Sequence, residues 1–414
     1  LFWYLGAVRR SVVAPLALLL PLAACRFGFD PVGAKPADAG PDTPPAVPPP
    51  AVLPCGAPAQ FSAAGVTGAG AGSGSGSGSS ALPALTAVAA TATTDGYAVL
   101  AVDSAGAVHG FSYAFDGSLL GQRAADAPVF SGATGTVGAI AAGNGILAAI
   151  AYGRPDSVGT DLVPLDTQLA SLGTPQRYGA WYTLDSAIAA GSGGALVFLG
   201  GQSNDDVMAK RVSPTGIDLG PSRKVIDGTE GISVATIMPA GARFLVTWEA
   251  TTPSPNQVRA EVIDDVASVV VPATTINTGA MFDGDSPHAG YAAAADRYLF
   301  AWSFKNATSG DELWVSLRDG QLAELSAIRL STHGVQPRVA AGKDDFLLAW
   351  KDTNTTSEIA AARVRFDGSV VPLVVSGNGN KALGWDLATR AGQPALIWIE
   401  SSATPGLWLD PLCN

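Results

Sequence analysis

The sequence predicts an all-β fold, a seven-bladed β-propeller of four-stranded antiparallel blades, and three observations predict it. The first is an apolar burst that recurs about every fifty residues. It is clearest as Phe244-Leu245-Val246-Thr247-Trp248, Tyr298-Leu299-Phe300-Ala301-Trp302, Phe346-Leu347-Leu348-Ala349-Trp350 and Ala395-Leu396-Ile397-Trp398, with weaker copies centred on Leu100, Ile150 and Leu199. A period of this size marks units that bury their faces against their neighbours. The second is a turn signal after the burst: Asp116-Gly117, Thr215-Gly216, Asp319-Gly320 and Asp367-Gly368, with Asp166 and Asp264-Asp265 in the same place without glycine. Asp-Gly suits the positive φ angles of a two-residue type I′ hairpin. The third is the lack of any 3.6-residue apolar period sustained over several turns of the repeat region. If the weak early copies are out of register, the count falls to six blades.

Within a unit, a short strand of small residues such as Pro337-Arg338-Val339-Ala340-Ala341 comes first, then the burst, then a hairpin (residues 359–366 and 369–375). Four short antiparallel strands per repeat make one blade. Innermost strands crowd the axis, which accounts for their alanines. Trp248, Trp302, Trp350 and Trp398 read as blade-to-blade packing, each burying on the order of 200 Å².

The seventh unit ends early, after one strand at residues 406–410. We expect residues 59–62 to supply its outer strand, tying the two ends of the ring together and leaving no open sheet edge. Cys55 and Cys413 flank the two segments that meet, and in an oxidising compartment we expect them to form a disulfide; two unpaired buried thiols are the other reading.

Arg9-Arg10 precede an apolar run, residues 11–24, and then Cys25. The run is too short to span a membrane and reads as residues 1–24 of an export signal. Leu22-Ala23-Ala24-Cys25 resembles the lipobox of bacterial lipoproteins, which implies an acylated Cys25 at the mature N-terminus. A plain cleaved secretory signal is the other reading, and a start near Val8 is compatible with either. The resemblance to lipoproteins further implies that Arg26, where retained proteins carry Asp, releases the protein from the inner membrane, and that it is an outer-membrane lipoprotein on the periplasmic or cell-surface side. Residues 25–54 then form a Pro-rich tether. Fully extended from 41 to 54, it holds the next domain roughly 40 Å off the bilayer. Residues 55–414 are a single domain, with a flexible Gly/Ser loop at 65–80.

Only 14% of residues are charged and the net charge is −11. That sign argues against nucleic acid as a partner. Three histidines, His109, His288 and His333, and no His-Glu-x-x-His exclude zincin chemistry. No Walker A motif, Gly-x-Ser-x-Gly elbow or twelve-residue calcium loop is present. Neither a metal nor another cofactor is called for. The boxes of sialidases and WD repeats are absent, and paired glycines of kelch type, Gly193-Gly194 and Gly200-Gly201, occur in one unit only. The blades, of Pro-x-Val-Ala … Phe-Leu-Val-x-Trp type, resemble those of uncharacterised bacterial lipoproteins with a β-propeller repeat domain, a resemblance that implies no activity.

The loops leading into the innermost strands converge on one mouth of the ring. There we place Trp181, Tyr182, Asp185, Asp283, Asp285, His288, His333, Arg338, Trp385 and Asp386 as candidate ligand-binding residues, with Asp227 and Phe282 nearby. Aromatic faces beside carboxylates suit sugars, cations or peptide side chains. The first functional reading is a non-catalytic, monomeric, lipid-anchored propeller that binds a protein or glycan through this mouth. The second is a hydrolase or lyase acting on extracellular polysaccharide, with Asp285 and His288 as acid and base. Bland, alanine-rich inner strands favour the first.

Overall fold

Seven antiparallel sheets follow one another around a closed ring in this computed structural model. It describes residues 59–62, 85–115, 119–122, 130–131, 133–154, 157–179, 188–191, 194–200, 206–252, 255–277, 284–306, 310–354, 358–373, 375, 381–390, 393–401 and 406–411. Cys25, Cys55, Cys413, the tether and the 65–80 loop lie outside these residues, which all belong to one compact unit, Leu53–Asn414.

Blade 1 runs from the axis outward as Leu85–Ala92, Gly96–Asp103, Ala107–Ala114 and Leu119–Gln122, and Phe130–Ser131 adds to its third strand. Blade 2 comprises Ala133–Ala142, Gly145–Arg154, Ser157–Asp166 and Gln176–Gly179, and blade 3 Ile188–Gly191, Gly194–Gly200, Val207–Val212 and Arg223–Ile226. Blade 4 is Ile232–Ala240, Arg243–Ala250, Gln257–Ile263 and Val269–Thr275; blade 5 is Gly284–Ala292, Arg297–Asn306, Gly310–Asp319 and Glu324–Ser331. Blade 6 is Gly334–Ala341, Asp345–Asp352, Glu358–Arg365 and Val370–Leu373. Blade 7 has three strands of its own, Lys381–Arg390, Gln393–Ser401 and Gly406–Pro411, and takes Ala59–Ser62 as its fourth. The closure pairs Ala59 with Leu409 and Ser62 with Gly406, so the ends of the domain meet in one sheet as expected. Each first strand touches the first strand of the next blade, and that of blade 7 touches that of blade 1.

The core is as modular as the chain. Seven apolar clusters each straddle two adjacent blades, one for every interface of the ring. Trp248, Trp302, Trp350 and Trp398 are all buried, each facing the preceding blade. In blade 1 the register corrects the sequence reading by one residue. Leu100 faces blade 2, and it is Ala101 that looks back toward blade 7 as the tryptophans do.

Among the described residues the outer hairpins also differ from expectation, since those of blades 2 to 6 are not two-residue type I′ turns. In blade 5, Asp319 N donates to Ala323 O (3.0 Å), Leu322 N donates to Asp319 O (3.0 Å), and the positive φ, 64°, falls on Leu322. This is a type I turn followed by a left-handed residue. Asp166 and Asp264 start the same loop, with Leu169 and Ala267 left-handed at φ 67° and 60°. The carboxylate holds it: Asp319 Oδ1 accepts from the amides of Gln321 and Ala323, each at 2.9 Å. A left-handed non-glycine residue costs about 1–2 kcal/mol. Leu169 and Leu322 are fully buried in interblade clusters, which returns about 1.5–3 kcal/mol each. Glycine is therefore not required at these turns.

Candidate functional site

The repeat fixes the level at which side chains enter the shaft. Thr236, His288, Arg338 and Asp386 lie opposite Thr247, Ala301, Ala349 and Ile397, in each case the residue just before the tryptophan of blades 4, 5, 6 and 7. Four consecutive blades thus place polar side chains at one register position of the innermost strands, where Gly138 stands in blade 2.

A bulge precedes this position, as the register shifts between Ile232 and Ala235, Asp285 and His288, Val335 and Arg338, and Ala382 and Gly384. In blades 5 and 6 the bulge carries Ser286-Pro287 and Gln336-Pro337, with Ser286 at φ 51° and Gln336 at φ 53°. Positive φ on residues with side chains, next to a proline, is strained backbone that surrounding structure must hold. The bulges line the wall of a cavity of about 220 Å³, bounded by Thr236, Ser286, Gln336, Arg338, Leu383 and Trp385 among others.

Within the layer, side chains of one blade bind the backbone of the next. His288 Nδ1 accepts from Val339 N at 3.1 Å, which leaves the ring proton on Nε2. Asp386 Oδ2 accepts from Ala90 N, and its Oδ1 from Leu387 N, both at 2.8 Å. Burial, with the Arg338 charge adding to it, lowers the His288 pKa to about 3 against a weaker opposing backbone hydrogen bond. Burial raises the Asp386 pKa, opposed by Arg338 and the two amides. Arg338 donates Nη1 to Pro337 O at 3.1 Å. It makes no ion pair among the described residues.

Of the residues expected at the mouth, Arg338 and Trp385 line the cavity, while His288 and Asp386 lie near Arg338 in the polar layer but outside the lining. Trp385 is buried at the interface of blades 6 and 7 while also lining the cavity, and its indole N–H has no partner. His333 is not part of the lining; it precedes the innermost strand of blade 6, its N–H donating to Ser331 Oγ at 3.1 Å. Asp227 starts the short 3₁₀ turn Gly228–Glu230 and accepts from Thr229 N, a capping role. Trp181, Tyr182, Asp185, Phe282 and Asp283 lie outside the described residues, as does the side chain of Asp285. Thr236, Ser286, Gln336 and Leu383 were not singled out from sequence. Aligning the strands on the residue before each tryptophan would have found Thr236, and the two Pro dipeptides mark the bulges.

No protein-family model matches the chain, and no curated protein does. Solved structures share its fold. A protein of unknown function from Dyadobacter fermentans covers 80% of this chain and 95% of its own at 11% identity, TM-score 0.47. The β-propeller domain of the Trilobed protease from Pyrococcus furiosus covers 79% and 95% at 9% identity, TM-score 0.47. A streptogramin B lyase structure covers 80% and 93% at 11% identity, TM-score 0.45. These likenesses concern the fold alone.

Proposed function

We propose that this propeller is a binding domain that captures a glycan or protein partner at the axial mouth, held at the cell envelope by an acylated Cys25. The observation that carries the reading is the use to which the polar layer is put. His288 and Asp386 spend their acceptors on backbone amides of blades 6, 1 and 7. A histidine whose pKa is lowered to about 3 and whose Nδ1 is already occupied is a poor general base near neutrality. The same bonds tie together the blades whose inner strands wall a small cavity, and a rigid wall is what recognition needs. The anchor rests on the lipobox-like segment ending at Cys25, and a tether of 25–54 gives the mouth reach beyond the bilayer.

The test is a glycan array probed with the full chain and with Leu383→Trp, which fills the cavity from a half-exposed rim position. Binding that is lost in the variant supports the reading. Release of shortened polysaccharide by the parent, blocked by the same substitution, would establish the hydrolase or lyase instead.

A further inference from the structure

Resting on that reading, we infer that the mouth selects a sugar acid, a single uronate-type ring whose carboxylate is gripped by the Arg338 guanidinium. The cavity walls are rich in donors. Arg338 has one hydrogen bond to its own neighbour's carbonyl and no ion pair among the described residues. Trp385 lines the wall without adding a donor, its indole N–H being buried within the interface of blades 6 and 7. Thr236 adds a hydroxyl and Gln336 an amide. The carboxylate nearest in register, Asp386, has both oxygens engaged by amides. A half-buried guanidinium with spare N–H groups is matched in shape and charge by a carboxylate, which it binds bidentately.

Size and the remaining walls narrow the class. About 220 Å³ is below the roughly 300–1,000 Å³ of pockets that enclose drug-sized ligands, so one ring or a chain end enters, not an oligomer. Val88, Val234, Pro287 and Leu383 give the cavity an apolar side beside its donors. A pyranose acid has that same division, a C–H face and an edge of hydroxyls and carboxylate. Phosphate or sulfate would leave the apolar wall uncovered. In a chain of net charge −11, anion selectivity has to be local, and Arg338 supplies it.

The experiment is calorimetric titration of the full chain with sodium D-glucuronate, D-glucose and N-acetylglycine at constant ionic strength. It is repeated for Arg338→Gln and Arg338→Lys, with thermal unfolding measured on each. We expect glucuronate to bind at least about tenfold more tightly than glucose, and Arg338→Gln to lose at least about tenfold, the scale of one charge-assisted contact. Arg338→Lys, which keeps the charge but not the fork, should fall between them. If Arg338→Gln unfolds, the lysine variant and the glucuronate-to-glucose ratio of the parent carry the test. Equal binding of glucose and glucuronate would overturn the acid selectivity while leaving the mouth a binding site. N-acetylglycine binding as tightly as glucuronate would overturn the sugar and favour a peptide terminus. Binding of none of the three would overturn this inference, whereas array binding abolished by Leu383→Trp would still uphold the reading beneath it.

Discussion

Replacing Glu261 by Gln should stabilise the propeller above neutral pH and leave it nearly unchanged at pH 4. Glu261 is 5% exposed on the third strand of blade 4, opposite Val246, and its Oε1 has no partner. The nearby cation, Arg259, is taken: it pairs with Glu230 and sits over the Trp248 ring at 5.5 Å, and Trp248 Nε1 donates to Glu230 at 2.9 Å. Burial therefore pushes the Glu261 pKa from 4.5 to about 7, with Glu230 adding to the rise and Arg259 opposing it. A raised carboxyl pKa means that the folded state holds its proton more tightly than the unfolded chain. Stability from this group is fully present below pH 4.5, declines between 4.5 and 7, and is lost above. The gap corresponds to about 3 kcal/mol at 1.36 kcal/mol per unit. Glutamine has the same shape and does not titrate. Urea unfolding of parent and variant, followed by tryptophan fluorescence at pH 4 and pH 8, should give a gain at pH 8 of up to about 3 kcal/mol and little change at pH 4. Comparing the variant with the parent cancels every other titrating group. Equal differences at the two pH values would refute the argument, because the penalty would then not be one of ionisation.

Three further outcomes are expected. Arg318, 3% exposed, donates to the carbonyls of Ile276 and Leu322 at 2.7 and 2.9 Å and to Glu324 at 2.8 Å, joining blade 5 to blade 4. Arg318→Met strands these acceptors, and denaturant unfolding should show a loss of about 3 kcal/mol or more; a loss below about 1 kcal/mol would mean that water replaces the guanidinium. Cys55 and Cys413 flank in sequence the two segments that pair to close the ring, Ala59–Ser62 and Gly406–Pro411. We therefore expect a Cys55–Cys413 disulfide, whose removal by Cys413→Ser costs at most about 6 kcal/mol for a loop of about 360 residues; two alkylatable thiols in the unreduced, exported protein would sink it. Cys25→Ser should move the protein from the detergent phase to the aqueous phase in Triton X-114 partitioning, and unchanged partitioning would remove the lipid anchor from the proposal.

How much could be read beforehand depends on whether a feature repeats. The tryptophan of each apolar burst recurs in blades 4 to 7, and each is buried against the preceding blade as its place in the strand implies. The closing strand was legible for a different reason. A seventh unit with one strand too few and an unclaimed Ala59–Ser62 leave a single way to pair both edges. The turns were legible in part: Gly216 and Gly368 do take the left-handed position, at φ 79° and 84°, but in blade 5 the Asp319 carboxylate holds the loop and a buried leucine takes that position instead of Gly320. The site was only half legible for a related reason. Arg338, His288 and Asp386 stood out as charged or titratable residues leading into innermost strands, whereas Thr236, Ser286, Gln336 and Leu383 are of types too common to single out. Residue type passes over such positions, while register, which sets Thr236 level with His288, Arg338 and Asp386, finds one of them. The alanines that make the strands seem inert are what let blades approach closely enough for His288 to reach Val339 N and Asp386 to reach Ala90 N. Small residues and polar layer are thus one device. Bulk at the inner strands would push the blades apart and break the interblade hydrogen bonds, leaving the acceptors of His288 and Asp386 unsatisfied. A substitution such as Ala340→Leu, two residues along the strand from Arg338 and outside the cavity lining, should therefore weaken binding at the mouth as well as stability.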